Sequence, residues 1–291
     1  MTLENFIPEI WAGDVLQALQ KATVFGSLVN RDWEGLITNS GDTVRITEIG
    51  PITIGDYSKN TDIADPENLV DAQQALQITE SKYFNFQVDE VDLKQGNPKV
   101  VSAGMNEAAY ALRDEVDQFI AGKYADASAA NLIGTTAAPK APNNTAGDAQ
   151  NVYKLMTLAR KALVKSNVPT GGWWMVVQPE LYALLLNEDK FVSAEKAGTT
   201  AGLRTGEVGT ILGFTIFESN NVEYIEDGDG SHDVYKCMFG TNKAITFADQ
   251  INNVKQYSPE KRFAVAYKGL HLYGAKVVRP QCLGVLSCYT T

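Results

Sequence analysis

From Leu76 to Val88 the chain alternates without a break. Leu76, Ile78, Glu80, Lys82, Phe84, Phe86 and Val88 share one face, and Gln77, Thr79, Ser81, Tyr83, Asn85 and Gln87 share the other. Period two is the signature of a β-strand. A strand over these positions would run about 44 Å at roughly 3.4 Å per residue, against a usual length of about 5 to 6 residues. Glu80 and Lys82 interrupt its apolar face. The pattern therefore predicts a hairpin rooted in the body at Phe84 to Val88, with an outer half that projects into solvent or onto a partner. Its other strand is Thr43-Val44-Arg45-Ile46-Thr47, entered through Gly41-Asp42 and stopped near Gly50-Pro51. A polar stretch from Gly55 to Asn68 connects the two. An isolated two-stranded ribbon is marginally stable in water, so this one is expected to lean on a neighbour.

After Gly96-Asn97-Pro98 the period becomes helical. Val101, Met105, Ala108, Leu112, Val116, Phe119, Ile120 and Tyr124 form one stripe, with Glu107, Arg113, Asp114, Asp117 and Gln118 opposite it as a solvated face. Some 25 residues of this pattern predict a helix of roughly 38 Å. A second helix is expected from an N-cap at Asp148, with the stripe Val152, Leu155, Met156, Ala159 and Leu163, ending before Asn167-Val168-Pro169. Trp173 to Val177 reads as a buried strand and Pro179 as the first turn of a following helix, which makes a βα unit. Thr210 to Ile216 reads as one strand. Further strands are expected at Val234 to Phe239, Ala244 to Phe247, Phe263 to Tyr267 and Ala275 to Val278. At the start of the chain, Ile10, Trp11, Val15 and Leu19 recur near helical spacing behind Pro8, and Phe25, Leu28, Val29 and Trp33 follow. A segment this rich in large apolar side chains packs on something, such as another copy of the chain.

Composition narrows what such a chain can do. With 291 residues, 44% of them hydrophobic, it can bury a real core in two domains or in one with large excursions. A formal charge of −10 disfavours gripping nucleic acid, because phosphate binding draws its affinity from lysine and arginine. It leaves open enclosing DNA without binding it specifically. Cys237, Cys282 and Cys288 form an odd set without a Cys-x-x-Cys, so free thiols are expected rather than a disulfide framework or a zinc site. No apolar run approaches the roughly 20 residues of a membrane span, and the first residues lack a signal pattern. No membrane association is expected.

Candidate chemistry is sparse, and no cofactor is expected. His232 and His271 are the only histidines, and His271 sits in an alternating strand, as a hydrogen-bonded structural histidine would. No serine shows a Gly-x-Ser-x-Gly elbow. Asp227 to Asp233 resembles a calcium loop but offers His232 and Met238 where an EF-hand needs glycine and glutamate. The glycines of Gly198 to Gly213 lack the Gly-Lys-Ser/Thr of a phosphate loop. Trp173 and Trp174, beside Met175-Val176-Val177, read as core. Asp114, Glu115 and Asp117 would make a carboxylate dyad only if buried, and their positions read as solvated.

The element order resembles the major capsid proteins of tailed bacteriophages, the Hong Kong 97-like α+β fold, and within it the podovirus coat protein group. The residues that carry the resemblance are Gly41-Asp42-Thr43-Val44-Arg45-Ile46, Met175-Val176-Val177-Gln178-Pro179-Glu180, Gly209 to Ile216 followed by Ser219-Asn220-Asn221, and Tyr273 to Pro280. It implies an N-terminal arm over 1–36, an E-loop hairpin over 37–95 and the spine helix of a peripheral domain over 96–126. An axial domain over 127–240, peripheral strands over 241–275 and a return to the axial domain over 276–291 complete it. Some relatives carry a large inserted domain; Val222 to Tyr235 is too short to hold one.

The resemblance implies a shell subunit and not an enzyme. Many copies would form pentamers and hexamers around a double-stranded DNA genome, with a scaffolding protein and a portal as partners, assembled in the bacterial cytoplasm. Arg45 to Lys82 would reach over an adjacent subunit while an arm carrying Trp11 and Trp33 packs against another. Trp11, Trp33, Arg45, Glu80 and Lys82 are thus the subunit-contact candidates, the last two as cross-subunit ion pairs. Two alternatives stay open on the residues alone: an encapsulin-like compartment of the same fold, and an α/β hydrolase resting on the βα unit near Trp173.

Overall fold

The computed structural model describes residues 23–32, 43–49, 52, 54–60, 62, 65, 71–90, 99–188, 210–226 and 232–289. Its elements in chain order are a four-residue helix α1 (Phe25–Leu28), then strands β1 (Thr43–Ile49), β2 (Asp71–Gln77) and β3 (Glu80–Asp89). The long helix α2 (Lys99–Ala121) follows, then β4 (Leu132–Ile133), α3 (Val152–Lys165), β5 (Trp173–Val177) and α4 (Pro179–Leu186). The remainder is β6 (Thr210–Ile211), β7 (Phe214–Glu218), β8 (Tyr224–Glu226), β9 (Asp233–Thr241), β10 (Ile245–Tyr257), β11 (Ala264–Val277) and β12 (Leu283–Cys288).

These strands form three sheets. β1 and β2 make a two-stranded antiparallel ribbon, β10-β11-β3 a three-stranded sheet, and β4-β12-β9-β5-β7-β6 the spine of a seven-stranded sheet in which β8 pairs with β9. The expected 13-residue strand is therefore two. Even-numbered residues face inward throughout, but β2 bonds to β1 and β3 bonds to β11, and the chain changes partner at Ile78-Thr79. The reason is a close crossing: a Cβ on Gly274 of β11 would lie 2.2 Å from the carbonyl oxygen of Gln77. Only glycine lets the backbones approach this far. Gln74 Nε2 donates to the Val278 carbonyl at 3.1 Å and Lys276 Nζ to the Ala75 carbonyl at 3.0 Å, which fixes the ribbon's root to the end of β11. Ile46 and Leu76 close a small apolar cluster there with Ala248.

The main core runs from the seven-stranded sheet to α2. Trp173 to Val177 are all buried, as are Val152, Leu155, Met156, Ala159 and Leu163 of α3. Val116 and Ile120 of α2 join the same cluster with Phe247 and Tyr273. On α2's other contact, Phe86 lies over Gly104 and Lys82 pairs with Glu115 on the next turns. β5, α4 and β7 form the expected βα crossover, with β5 and β7 parallel.

Three further expectations need correction, and one strand was not expected at all. Thr210 to Ile216 is a hairpin and not one strand, because Leu212 (φ 51°) and Gly213 (φ 89°) form the two-residue left-handed turn that reverses the chain. The separate strands at Phe263 to Tyr267 and Ala275 to Val278 are one 14-residue strand, β11. The N-cap of α3 is Asn151, whose side chain accepts from the Tyr153 N–H; Asp148 instead closes the preceding turn by accepting from Gln150 N–H. β12, fully buried between β4 and β9, has no counterpart in the sequence reading.

Gly274 and Gly269 allow a paired test. Both would clash with an alanine Cβ, but Gly274 meets backbone while Gly269 meets only the ring of Phe84, a half-buried side chain that can turn. Gly274→Ala should lower stability by about 1–3 kcal/mol or more, the range for overpacking that forces backbone to move, and Gly269→Ala by clearly less. Urea denaturation midpoints of the two variants would decide it; equal losses would contradict the crossing as the tighter constraint.

Candidate assembly surfaces

The ribbon's outer end presents its apolar side chains to solvent. Ile52 is 67% exposed, Ile54 94% and Tyr57 76%, and every described residue between 52 and 65 is exposed. Three aspartates and one lysine accompany them over that span. Large apolar residues clustered on a hairpin tip mark an interaction surface more than they mark a stable free end. Among the described residues no group of histidine, cysteine and carboxylate side chains could hold a metal ion.

The subunit-contact candidates fall in different places. Arg45 is exposed on β1, opposite Ala75 of β2. Glu80 and Lys82 lie on β3 inside the three-stranded sheet, opposite Tyr273 and His271, so the ribbon's root begins four residues before the expected Phe84. Lys82 Nζ lies 2.9 Å from Glu115 Oε2 of α2 in the same chain, and this carboxylate holds its pKa above the ordinary lysine value. Both partners are about half exposed, so solvent and salt screen the pair. Trp11 and Trp33 lie outside the described residues, as do Asp227 to Ser231 of the calcium-loop resemblance and Gly198 to Gly209.

Sequence reasoning missed a junction that positions the arm. Asp117, expected on a solvated face, is 1% exposed. Its carboxylate accepts the Gly26 N–H at 3.1 Å, at the start of α1, and the Asn221 side-chain amide at 3.1 Å, from the loop between β7 and β8. One side chain of α2 thus binds the segment before β1 and the loop after β7. The same segment docks on β10 through Asn30, which donates to the Ile245 carbonyl and accepts from Phe247 N–H, both at 2.9 Å. Arg31 lies over the Phe247 ring, 5.1 Å from its centre. The signal was in the sequence only as a carboxylate three residues from Asp114 on α2, and nothing local told which of them would be covered.

The remaining polar groups of the interior read as structural. His271 Nε2 lies 3.2 Å from Asp249 Oδ2 across β10 and β11, and its Nδ1 has no hydrogen-bond partner among the described residues. Lys236 is buried, and burial lowers its pKa; its ammonium donates to the hydroxyls of Thr136 at 2.8 Å and Ser287 at 3.1 Å, tying β9 to β12. Cys237 and Cys288 are free and buried with sulfurs 3.8 Å apart, and the hydrogen bond between them together with burial pushes the Cys288 thiol well up. A thiol held protonated in this way is a poor nucleophile. Trp173 and Trp174 are 1% and 4% exposed and offer no stacking surface.

Comparison with known proteins gives a consistent result. A family model described as phage capsid protein matches residues 73–285. A solved chain of Mycobacterium phage Che8 is 32% identical, with 98% of each chain covered and a TM-score of 0.78. The capsid of cyanophage P-SCSP1u is 19% identical over 99% of this chain and 94% of that one, at a TM-score of 0.71. The capsid of Ralstonia phage GP4 is 15% identical over 100% and 97%, at 0.70. These last two show likeness of fold. A comparison with curated proteins gives no match.

The junction yields a pH prediction. Burial raises the Asp117 pKa above its ordinary value of 3.8, against the pull of the hydrogen bonds it accepts. The folded chain therefore binds this proton more readily than the unfolded one. Its contribution to stability is fully present below pH 3.8 and is lost as pH rises through the higher folded value. In denaturation midpoints measured across that window, Asp117→Asn should remove this part of the pH slope. Asp117→Ala, which removes the acceptor of the Gly26 N–H and leaves the Asn221 amide its bond to Asp114, should cost roughly 1–3 kcal/mol at neutral pH. A wild-type slope that persists in Asp117→Asn would contradict the assignment.

Proposed function

The chain belongs to the phage capsid protein family, and from that premise we propose how it builds its shell. It is a major capsid protein of a tailed phage with the Hong Kong 97-like α+β fold, a structural subunit and not an enzyme, and many copies of it make the virion capsid. Neither the encapsulin-like compartment nor the hydrolase is favoured by this membership.

In the proposed assembly the ribbon of β1 and β2 is the E-loop, and it lies over an adjacent subunit within pentamers and hexamers. The observation that carries this reading is the exposed apolar tip at Ile52, Ile54 and Tyr57, on a two-stranded ribbon whose third strand is missing among the described residues. One chain can serve rings of five and of six only if its contacts tolerate small changes of angle. A long ribbon gives that tolerance, because it spreads its contact area along a neighbour.

The map of segments follows: an arm over 1–36, E-loop over 37–95, spine over 96–126, axial domain over 127–240, peripheral strands over 241–275 and axial return over 276–291. The split of strands between the three- and seven-stranded sheets supports this division. Trp11 and Trp33 of the arm, Arg45 of the ribbon, and Glu80 and Lys82 at its root on β3, where Lys82 already pairs with Glu115 of its own chain, are the proposed subunit contacts. Assembly takes place in the bacterial cytoplasm with a scaffolding protein and a portal, and the shell encloses double-stranded DNA without specific binding, as a charge of −10 favours. Replacing residues 52–70 by a short Gly-Ser link should leave a folded subunit that forms no shells. Normal particles by electron microscopy would refute the E-loop role.

A further inference from the structure

Helix α3 divides its faces sharply. Val152, Leu155, Met156, Ala159 and Leu163 are buried in the main core, while Lys154, Thr157, Leu158, Lys161, Val164 and Lys165 are exposed. At about 100° per residue the three lysines fall within an arc of roughly 40°, in a row roughly 16 Å long. The fourth cation of the helix, Arg160, turns elsewhere: its guanidinium donates to the Leu212 carbonyl and lies 5.4 Å from the centre of the Trp173 ring. The helix itself contains no aspartate or glutamate. In a chain with 35 acidic and 25 basic residues, a 14-residue helix with four cations and no carboxylate departs from the overall balance.

This pattern works against the helix that carries it. Lys154 stands in the first turn, at the end of the macrodipole that disfavours a cation, and no acidic residue in that turn offsets it. Lys161 and Lys165 are four residues apart, so their like charges repel across one turn. Lys154 gains some relief by donating to the Gly147 carbonyl at 2.7 Å. Asp148 lies near enough to feel its charge, but the Asp148 oxygens already accept from the Gln150 N–H and the Asn143 side-chain amide. A row of ammonium groups that costs its own helix stability calls for a counter-charge from elsewhere.

We propose that the row of Lys154, Lys161 and Lys165 is a contact for the phosphate backbone of double-stranded DNA. The proposal rests on the reading above that the shell encloses DNA, and adds the place where the chain touches it. A lysine ammonium is a compact charge that pairs with phosphate and displaces a condensed counterion. The exposed face of α3 offers no arginine, asparagine or glutamine to read base edges, so the contact is independent of sequence, as a container for a whole genome requires. Three such contacts bind weakly, which reconciles a local grip with a net charge of −10. Leu158 and Val164, 41% and 48% exposed, are apolar residues of the kind any surface carries, and the lysine row is what sets this face apart.

Two measurements test it on the full-length protein. First, binding of a fluorescein-labelled DNA duplex of about 24 base pairs is followed by anisotropy between about 50 and 200 mM NaCl. Three neutralised phosphates contribute about −2.7 to the slope of log K against log salt, a loss of affinity of roughly 40-fold over that range. Lys154→Gln, Lys161→Gln and Lys165→Gln together should remove this part of the slope, and the three corresponding arginine replacements should keep it. Lys255→Gln, Lys261→Gln and Lys268→Gln, which take the same charge from exposed positions around β10 and β11, should leave it unchanged. A slope that persists in the first glutamine variant, or falls equally in the second, overturns the proposal. Second, the first glutamine variant should still form shells by electron microscopy; loss of shells would assign the row to a protein contact and overturn the proposal. The enclosing of DNA is tested apart from this, by nuclease-protected DNA in wild-type virions. If such DNA is present while the slope persists in the lysine variant, the contact is wrong and the reading of the shell stands; virions without it would overturn both.

Discussion

The contact on which the rest of the structure depends is the crossing of two backbones at Gln77 and Gly274. A carbonyl oxygen sits where any side chain on Gly274 would have to be. This approach lets one alternating stretch of sequence serve two sheets. Before the crossing, its inward residues close a small cluster of Ile46, Leu76 and Ala248; after it, they pack on α2. The ribbon is thus anchored at one end by backbone proximity and hydrogen bonds from Gln74 and Lys276, and left unsupported at the other.

That asymmetry explains how a single chain is both stable and incomplete. The main core, from the buried strand Trp173–Val177 to Ile120 of α2, is continuous and needs no partner. The apolar side chains at the ribbon tip and on the outer face of the three-stranded sheet remain in water. Exposed apolar surface of this extent is a liability in a soluble monomer and an asset in a subunit that finds identical neighbours in closed symmetry. The family to which the chain belongs makes the second description the applicable one.

Within the body, polar groups do the fastening between segments distant in sequence. Asp117 joins the segment around Gly26 to the loop at Asn221, and Lys236 joins β9 to β12 and to Thr136. Each is buried at a cost in desolvation that shows in its shifted pKa, upward for the carboxyl and downward for the ammonium. Buried polar links of this sort fix which segments meet, while the apolar core supplies the drive to collapse.

The sequence by itself determined the elements whose side-chain period is long and clean. The α2 stripe through Val116 and Ile120, the α3 stripe through Leu155 and Met156, and the buried strand at Trp173 were legible because burial on one side imposes a period that composition alone reproduces. So was the extended ribbon, from the alternation and from Gly50-Pro51. Only the tertiary structure decided where strands change partners, since an inward face continues unaltered through a switch such as Ile78-Thr79 while the hydrogen bonds go elsewhere. It also decided that β11 is one strand, that Leu212-Gly213 is a turn, and that Asp117 rather than Asp114 lies nine-tenths buried or more. Each of these depends on what a distant segment places against the residue, and no periodicity along the chain records the identity of a neighbour across space.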